Sequence, residues 1–215
     1  MRIFVDLDGV LPVFLNSTPR QRASEKYWRE LPAQQEVIDA LKYVMETWER
    51  HGNSFYDRTS LEFYILSKYP HNNARKGKEK WIEKHLPFFK KENIILLPYE
   101  MAKEVLIRPI NTDLLLDDYS PNLVTWESFG GKAVKVMNGI NGTNGTWKGD
   151  KIDAFDKELI IDYLFKKIEE MRWLESANKL RLTLPANWKD ATDEELVEIL
   201  KRDYINTLLL KRASI

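Results

Sequence analysis

Asp6 and Asp8 are the first residues in the chain whose type and spacing could do chemistry, set one residue apart just before Gly9. The β-branched and aromatic run at 2–6 reads as a buried strand, and the glycine ends it in a tight loop, so both carboxylates arrive at the strand's carboxyl end. Extended backbone alternates its side chains with period two, which aims the pair the same way. One carboxylate can attack phosphorus while the other exchanges a proton with the leaving oxygen. Gly9 lets the chain turn sharply, so the amides that follow can face an anion.

A second pair, Asp117 and Asp118, closes the run TDLLLDD at 112–118. Carboxylates gathered around a phosphate repel it unless a hard cation sits among them. That role suits Mg²⁺, with Asp6, Asp8 and either Asp117 or Asp118 as ligands. Ser67 ends the run LEFYILS and offers a hydroxyl, with backbone amides behind it, to oxygens that gain charge during phosphoryl transfer. Lys103 supplies a compact positive charge for the same purpose, and Lys68, Arg108 and Lys132 are nearby alternatives. His51, His71 and His85 are too dispersed for a histidine metal site.

These residues need a scaffold that brings them together. Runs at 2–6, 61–67, 93–98, 112–118 and 132–137 read as strands. Amphipathic stretches at 33–50, 76–86 and 99–106, and the segment NLVTWESFG before Gly130, read as the helices between them. This alternation predicts an α/β fold: a three-layer, Rossmann-like core with a five-stranded parallel sheet and right-handed crossovers. In such sheets the site lies beyond the carboxyl ends of the strands, where Asp6, Asp8, Ser67, Asp117 and Asp118 all fall. Residues 12–32, broken by Pro12, Pro19 and Pro32, form a small helical cap between the first two strands. The basic run at 75–80 reads as a solvated helix start, and the Gly/Asn-rich NGINGTNGTW at 138–147 as a multi-turn connection.

The core is expected over 1–154, with a helical extension over 155–215. Its first helix, at 155–180, is suited to covering the sheet. The second, at 190–212, opens with Thr192 and Glu195 as a capping box and could serve as a tail or an oligomer contact.

Taken together, DLDGV after a first strand, serine at the end of a second, a downstream lysine and LLLDD at the end of a fourth resemble the four motifs of the haloacid dehalogenase superfamily. The resemblance implies that Asp6 is a nucleophile forming an aspartyl-phosphate and that Asp8 is the general acid and then base. Aspartate at the second position resembles the phosphatases and phosphomutases. A narrower similarity, carried by DLDGVL, YWRELP, FYILSKYP, KEKWIEKHL and DLLLDDYSPNLVTWESFGG, runs to the 5′(3′)-deoxyribonucleotidase family and its bacterial relatives. It implies Asp118 as the preferred metal ligand, Ser67, Lys68 and Lys103 around the phosphate, and Tyr27 and Trp28 of the cap as the surface that stacks on a base. The expected function is thus a Mg²⁺-dependent phosphomonoesterase, either a 5′-nucleotidase or a phosphatase for sugar phosphates or other small metabolites. A binding or assembly protein on the same fold is the alternative outside enzymes.

The chain's 33 basic and 33 acidic residues cancel, so no net field would hold it on a nucleic-acid polymer or an anionic membrane. The expected partner is a small phosphorylated metabolite, with self-association through the C-terminal helices as a further option. The absence of cysteine rules out disulfides and thiolate metal sites. With charged residues among the first ten and no long apolar run, the expected compartment is the cytoplasm.

Overall fold

In the computed structural model, which describes residues 1–15, 17–51, 60–141, 145–183 and 190–212, strands and helices alternate from the first residues onward. The strands are β1 (Arg2–Val5), β2 (Glu62–Tyr69), β3 (Ile94–Pro98), β4 (Asp113–Asp117), β5 (Lys132–Met137) and β6 (Lys151–Asp153). They form one all-parallel sheet in the order β3-β2-β1-β4-β5-β6, a doubly wound Rossmann-like arrangement that reverses direction across β1 and β4. The expected sheet had five strands, and β6 is the sixth. At three residues with one apolar side chain, Ile152, it carries no run that marks a strand in sequence.

Parallel strands covered on both faces must be apolar on both, and β4 is buried throughout (DLLLD). Ile3 and Val5 of β1, Ile65 of β2 and Leu116 of β4 enter one cluster, while Phe4, Leu66 and Leu115 enter the other. The first face is covered by α3 (Gln35–His51), α4 (Asn72–His85) and α7 (Lys157–Thr183), through residues such as Leu41, Trp81 and Leu164. Leu123 and Trp126 of α6 (Ser120–Ser128) cover the second, with Ile107 of α5 (Lys103–Ile107) against them. The last helix, α8 (Asp193–Arg212), lies along α7 with Leu196 fully buried. Thr192 and Glu195 cap it reciprocally, and Asp193 bonds Arg181 and Asn111, each at 2.8 Å.

The cap excursion begins and ends at a narrow neck. Pro12 and Ala33 form an antiparallel bridge, flanked by Val13 N donating to Pro32 O at 2.8 Å and Gln34 N donating to Leu11 O at 2.6 Å. Between them lie two short helices, α1 (Pro19–Arg22), with a Thr18/Gln21 capping box, and α2 (Glu25–Arg29), capped by Ser24. Among the described residues, no helix is long and apolar enough to cross a membrane.

Candidate functional site

Strand alternation decides which side of the sheet each site residue faces. Along β1, Phe4 points to the α5/α6 face, and Asp6, two residues later, continues in that direction. Asp117 of β4 follows Leu115 onto the same face. Ser67 of β2 follows Ile65 onto the other face, toward α4. The three strand ends are close because Val5 pairs with Ile65 and with Leu116 in register. Asp6 N still donates to Leu116 O of β4 at 2.8 Å, but the chain then turns over residues 7–10, closed by Val10 N and Leu11 N on Leu7 O. Asp6 and Asp8 therefore do not share one side of an extended strand as expected, and each meets a different lysine.

Lys103, at the start of α5, approaches from the α6 side. Its ammonium lies 2.7 Å from Asp117 Oδ2 and 2.9 Å from Asp6 Oδ1, and only 2% of the residue is exposed. Burial disfavours its charge, but the two carboxylates outweigh that and raise its pKa well above the ordinary lysine value. Lys78, from the middle of α4, approaches from the opposite face. Its ammonium donates to Asp8 Oδ2 at 2.6 Å, to Ser67 Oγ at 3.2 Å and to the backbone oxygen of Lys68. The expected solvated helix start at 75–80 is thus corrected at Lys78, which is 1% exposed. The sequence carried a signal for it. Ala74, Lys78, Trp81 and Ile82 share one helical face, so this lysine stands in an apolar stripe.

The acidic side of the site is equally dense. Asp6, Asp117 and Asp118 can each present an oxygen within 4.8 Å of the others'. Asp117 is committed to protein donors, taking Tyr119 N at 2.9 Å, Asn122 Nδ2 at 2.9 Å and Lys103. Burial pushes its carboxyl up, against the pull of Lys103. Asp118 accepts Asn138 Nδ2 at 3.0 Å, and burial, with Asp117 and Asp6 beside it, pushes its carboxyl up to about 8. Asp8 is raised as well, by burial first, with Lys78 opposing. Oδ1 of Asp8 is buried without a hydrogen-bond partner, and Oδ1 of Asp6 has only the ion pair with Lys103 at 2.9 Å. An unpartnered Asp8 oxygen, an Asp6 oxygen with a single cationic contact and an Asp118 carboxyl forced toward neutrality are what a bound divalent cation would satisfy. The residues present fit such an ion. Asp118, with oxygen capacity to spare, is better placed to ligate it than Asp117.

No protein-family model matches this chain, and no curated protein matches it.

Two asparagines absent from the expected set hold the loop after β5 against the carboxylates. Asn138 Nδ2 donates to Gly9 O at 2.7 Å as well as to Asp118, and Asn141 Nδ2 donates to Val136 O at 2.6 Å and Asp118 O at 3.2 Å. They belong to the segment expected as a multi-turn connection, of which 142–144 lie outside the described residues. Gly9 sits at φ 73°, and a Cβ there would fall 2.2 Å from Asp118 Oδ2, so the position needs glycine for both conformation and space.

The other expected residues divide. Lys68 follows Ser67 along β2 with its ammonium 5.9 Å from the Tyr99 ring, and its backbone oxygen anchors Lys78. Arg108 closes α5 in the left-handed region at φ 50°, and Lys132 starts β5; neither shares the Lys103 contacts. His71 caps α4, accepting Ala74 N on Nδ1 at 3.1 Å, with Nε2 3.1 Å from Arg22 O. Tyr27 is half-buried and donates to Leu15 O at 3.2 Å. Trp28 does not offer an open stacking face. It is 5% exposed, its indole N–H donates to Arg22 O at 2.7 Å, and the Lys78 ammonium lies 5.0 Å from its ring centroid.

Proposed function

We propose that this chain is a phosphomonoesterase of the haloacid dehalogenase type, with Asp6 as nucleophile. The observation that carries the reading is the convergence of Asp6, Asp117 and Asp118 within 4.8 Å, flanked by two lysines buried from opposite faces of the sheet. A carboxylate cluster with no net field around it has little structural purpose, because burying it costs stability. Asp6 attacks phosphorus in line and the bond to the leaving oxygen breaks as Asp8 delivers its proton there. Water then attacks the aspartyl-phosphate with Asp8 taking its proton, which frees phosphate and restores Asp6. The raised pKa of the Asp8 carboxyl favours the protonated form the first step needs. Ser67 binds the transferring oxygens, Lys78 holds Asp8 and Ser67 in place from one face, and Lys103 holds Asp6 and Asp117 in place from the other. Asp6 and Asp118 would hold Mg²⁺, which when bound offsets charge between the carboxylates and the phosphate dianion.

The burial of Trp28 favours a sugar phosphate or other small metabolite over a nucleotide that needs a base-stacking platform. Turnover of p-nitrophenyl phosphate with Mg²⁺ and with EDTA tests the reaction, and a panel of nucleoside monophosphates and sugar phosphates tests the substrate. Asp6→Asn is expected to lose at least about a thousandfold in kcat. Full Mg²⁺-dependent turnover by that variant would sink the proposal.

A further inference from the structure

The contact between Trp28 and Lys78 joins the cap to the chemistry. Lys78 spends its three N–H donors on Asp8, Ser67 and the Lys68 carbonyl, and at 1% exposure it has lost nearly all contact with bulk solvent. Its environment is completed by the indole of Trp28, whose ring centroid is 5.0 Å away. An aromatic face carries the negative end of a quadrupole, so it replaces part of the lost hydration. The ring is itself held on several sides. Its N–H is bonded to Arg22 O, and Phe14 and Tyr27 pack edge-on at 6.2 and 5.2 Å. Gly77 makes the approach possible, since a Cβ there would lie 2.6 Å from Trp28 Cβ and 2.5 Å from Glu25 O. Around this contact the cap is tied to α4 by Lys80 with Glu25 at 2.7 Å and by Asn73 Nδ2 donating to Ala23 O at 3.2 Å. Trp81 Nε1 closes the far end on Leu31 O at 2.7 Å.

We propose that Trp28 is a positioning residue that holds the Lys78 ammonium on Asp8 and Ser67, so that the cap is a fixed part of the site. The kinetic readout of this proposal rests on the phosphatase reading above; the labelling readout does not.

The test uses the full chain as wild type, Trp28→Leu and Trp28→Phe. Each is exposed to limiting acetylating reagent and the modification of every lysine is followed by mass spectrometry. Lys103, buried on the opposite face, is the internal reference. Trp28→Leu is expected to label Lys78 about tenfold faster with Lys103 unchanged, and Trp28→Phe to recover most of the protection because it keeps an aromatic face. With p-nitrophenyl phosphate, Trp28→Leu is expected to lose about tenfold in kcat with a smaller change in KM, again largely recovered by Trp28→Phe. Equal labelling of Lys78 in all three proteins, or a parallel rise at Lys78 and Lys103, overturns the assignment. If Trp28→Leu does not fold, a fluorotryptophan series at position 28 alone keeps the shape and weakens the quadrupole. Lys78 labelling must then rise with each added fluorine, and a flat series overturns the proposal. Wild-type protein with no turnover would refute the phosphatase reading while the labelling still decides the role of Trp28.

Discussion

Lys78 and Lys103 bring the same charge into one carboxylate cluster but are not equivalent residues. Lys103 bridges Asp6 and Asp117, which are 8% and 0% exposed at their side chains, so its loss leaves two carboxylates buried together without a cation. Lys103→Met should cost about 3–5 kcal/mol of stability, read from urea unfolding without metal. Lys78 faces Asp8, whose side chain is 24% exposed and can rehydrate when the lysine is removed. Lys78→Met should therefore cost about 1–2 kcal/mol in stability but about 100-fold or more in kcat. If Lys78→Met proves the more destabilising of the two while keeping its turnover, the roles given to these lysines are reversed.

At the scale of elements, the crossing of α2 over α4 has one point where a single methyl group decides the sign of an effect. Replacing a helical glycine by alanine ordinarily stabilises a helix by about 0.5–1 kcal/mol. At Gly77 the new Cβ would sit 2.5 Å from the backbone oxygen of Glu25, which has no flexible end to swing away. Gly77→Ala should instead destabilise by about 1–3 kcal/mol in chemical denaturation, and a more stable variant would contradict the close crossing. Legibility from the sequence follows the same physics. The five longer strands have continuous apolar centres or paired acidic ends, and α3 between the first two has clear periodicity, so the doubly wound core and the positions of Asp6, Ser67, Lys103 and Asp118 were readable. β6 was not, because Ile152 is its only apolar residue. Lys78 was hidden by a local reading of 75–80 as a charge run, although its place in the stripe of Ala74, Trp81 and Ile82 marks it as inward. Asn138 and Asn141 were hidden for another reason. Asparagine in a glycine-rich segment reads as turn chemistry, and nothing local says that its side chains cross to Gly9 and Asp118.

For the whole molecule, the carboxylate cluster should dominate how stability depends on pH. The chain's 33 basic and 33 acidic residues cancel, so surface charge adds little systematic slope near neutrality. Asp118 titrates at about 8 in the folded chain against an ordinary value of 3.8. Between those two values the folded state holds a proton that the unfolded state has released, so stability falls as pH rises through that window. Asp8 and Asp117 are raised too and act in the same sense. Lys103 does not offset them. Its folded pKa is raised, so its contribution is complete below the ordinary lysine value and is lost only at higher pH. In EDTA the melting temperature should therefore decline from pH 5 to pH 8. A divalent cation binds the ionised carboxylates, so the increment from Mg²⁺ should widen over that same interval, reaching about 2.7 kcal/mol at a hundredfold excess over Kd. Asp118→Asn should flatten the decline in EDTA and remove most of the increment from Mg²⁺, because it deletes the proton and the ligand together. Thermal melts at pH 5, 6.5 and 8, with Mg²⁺ or EDTA, read all of these at once. A wild-type melting temperature in EDTA that climbs steadily toward pH 8, or an Asp118→Asn protein indistinguishable from wild type in both conditions, would mean that the cluster neither strains the metal-free fold nor binds the ion.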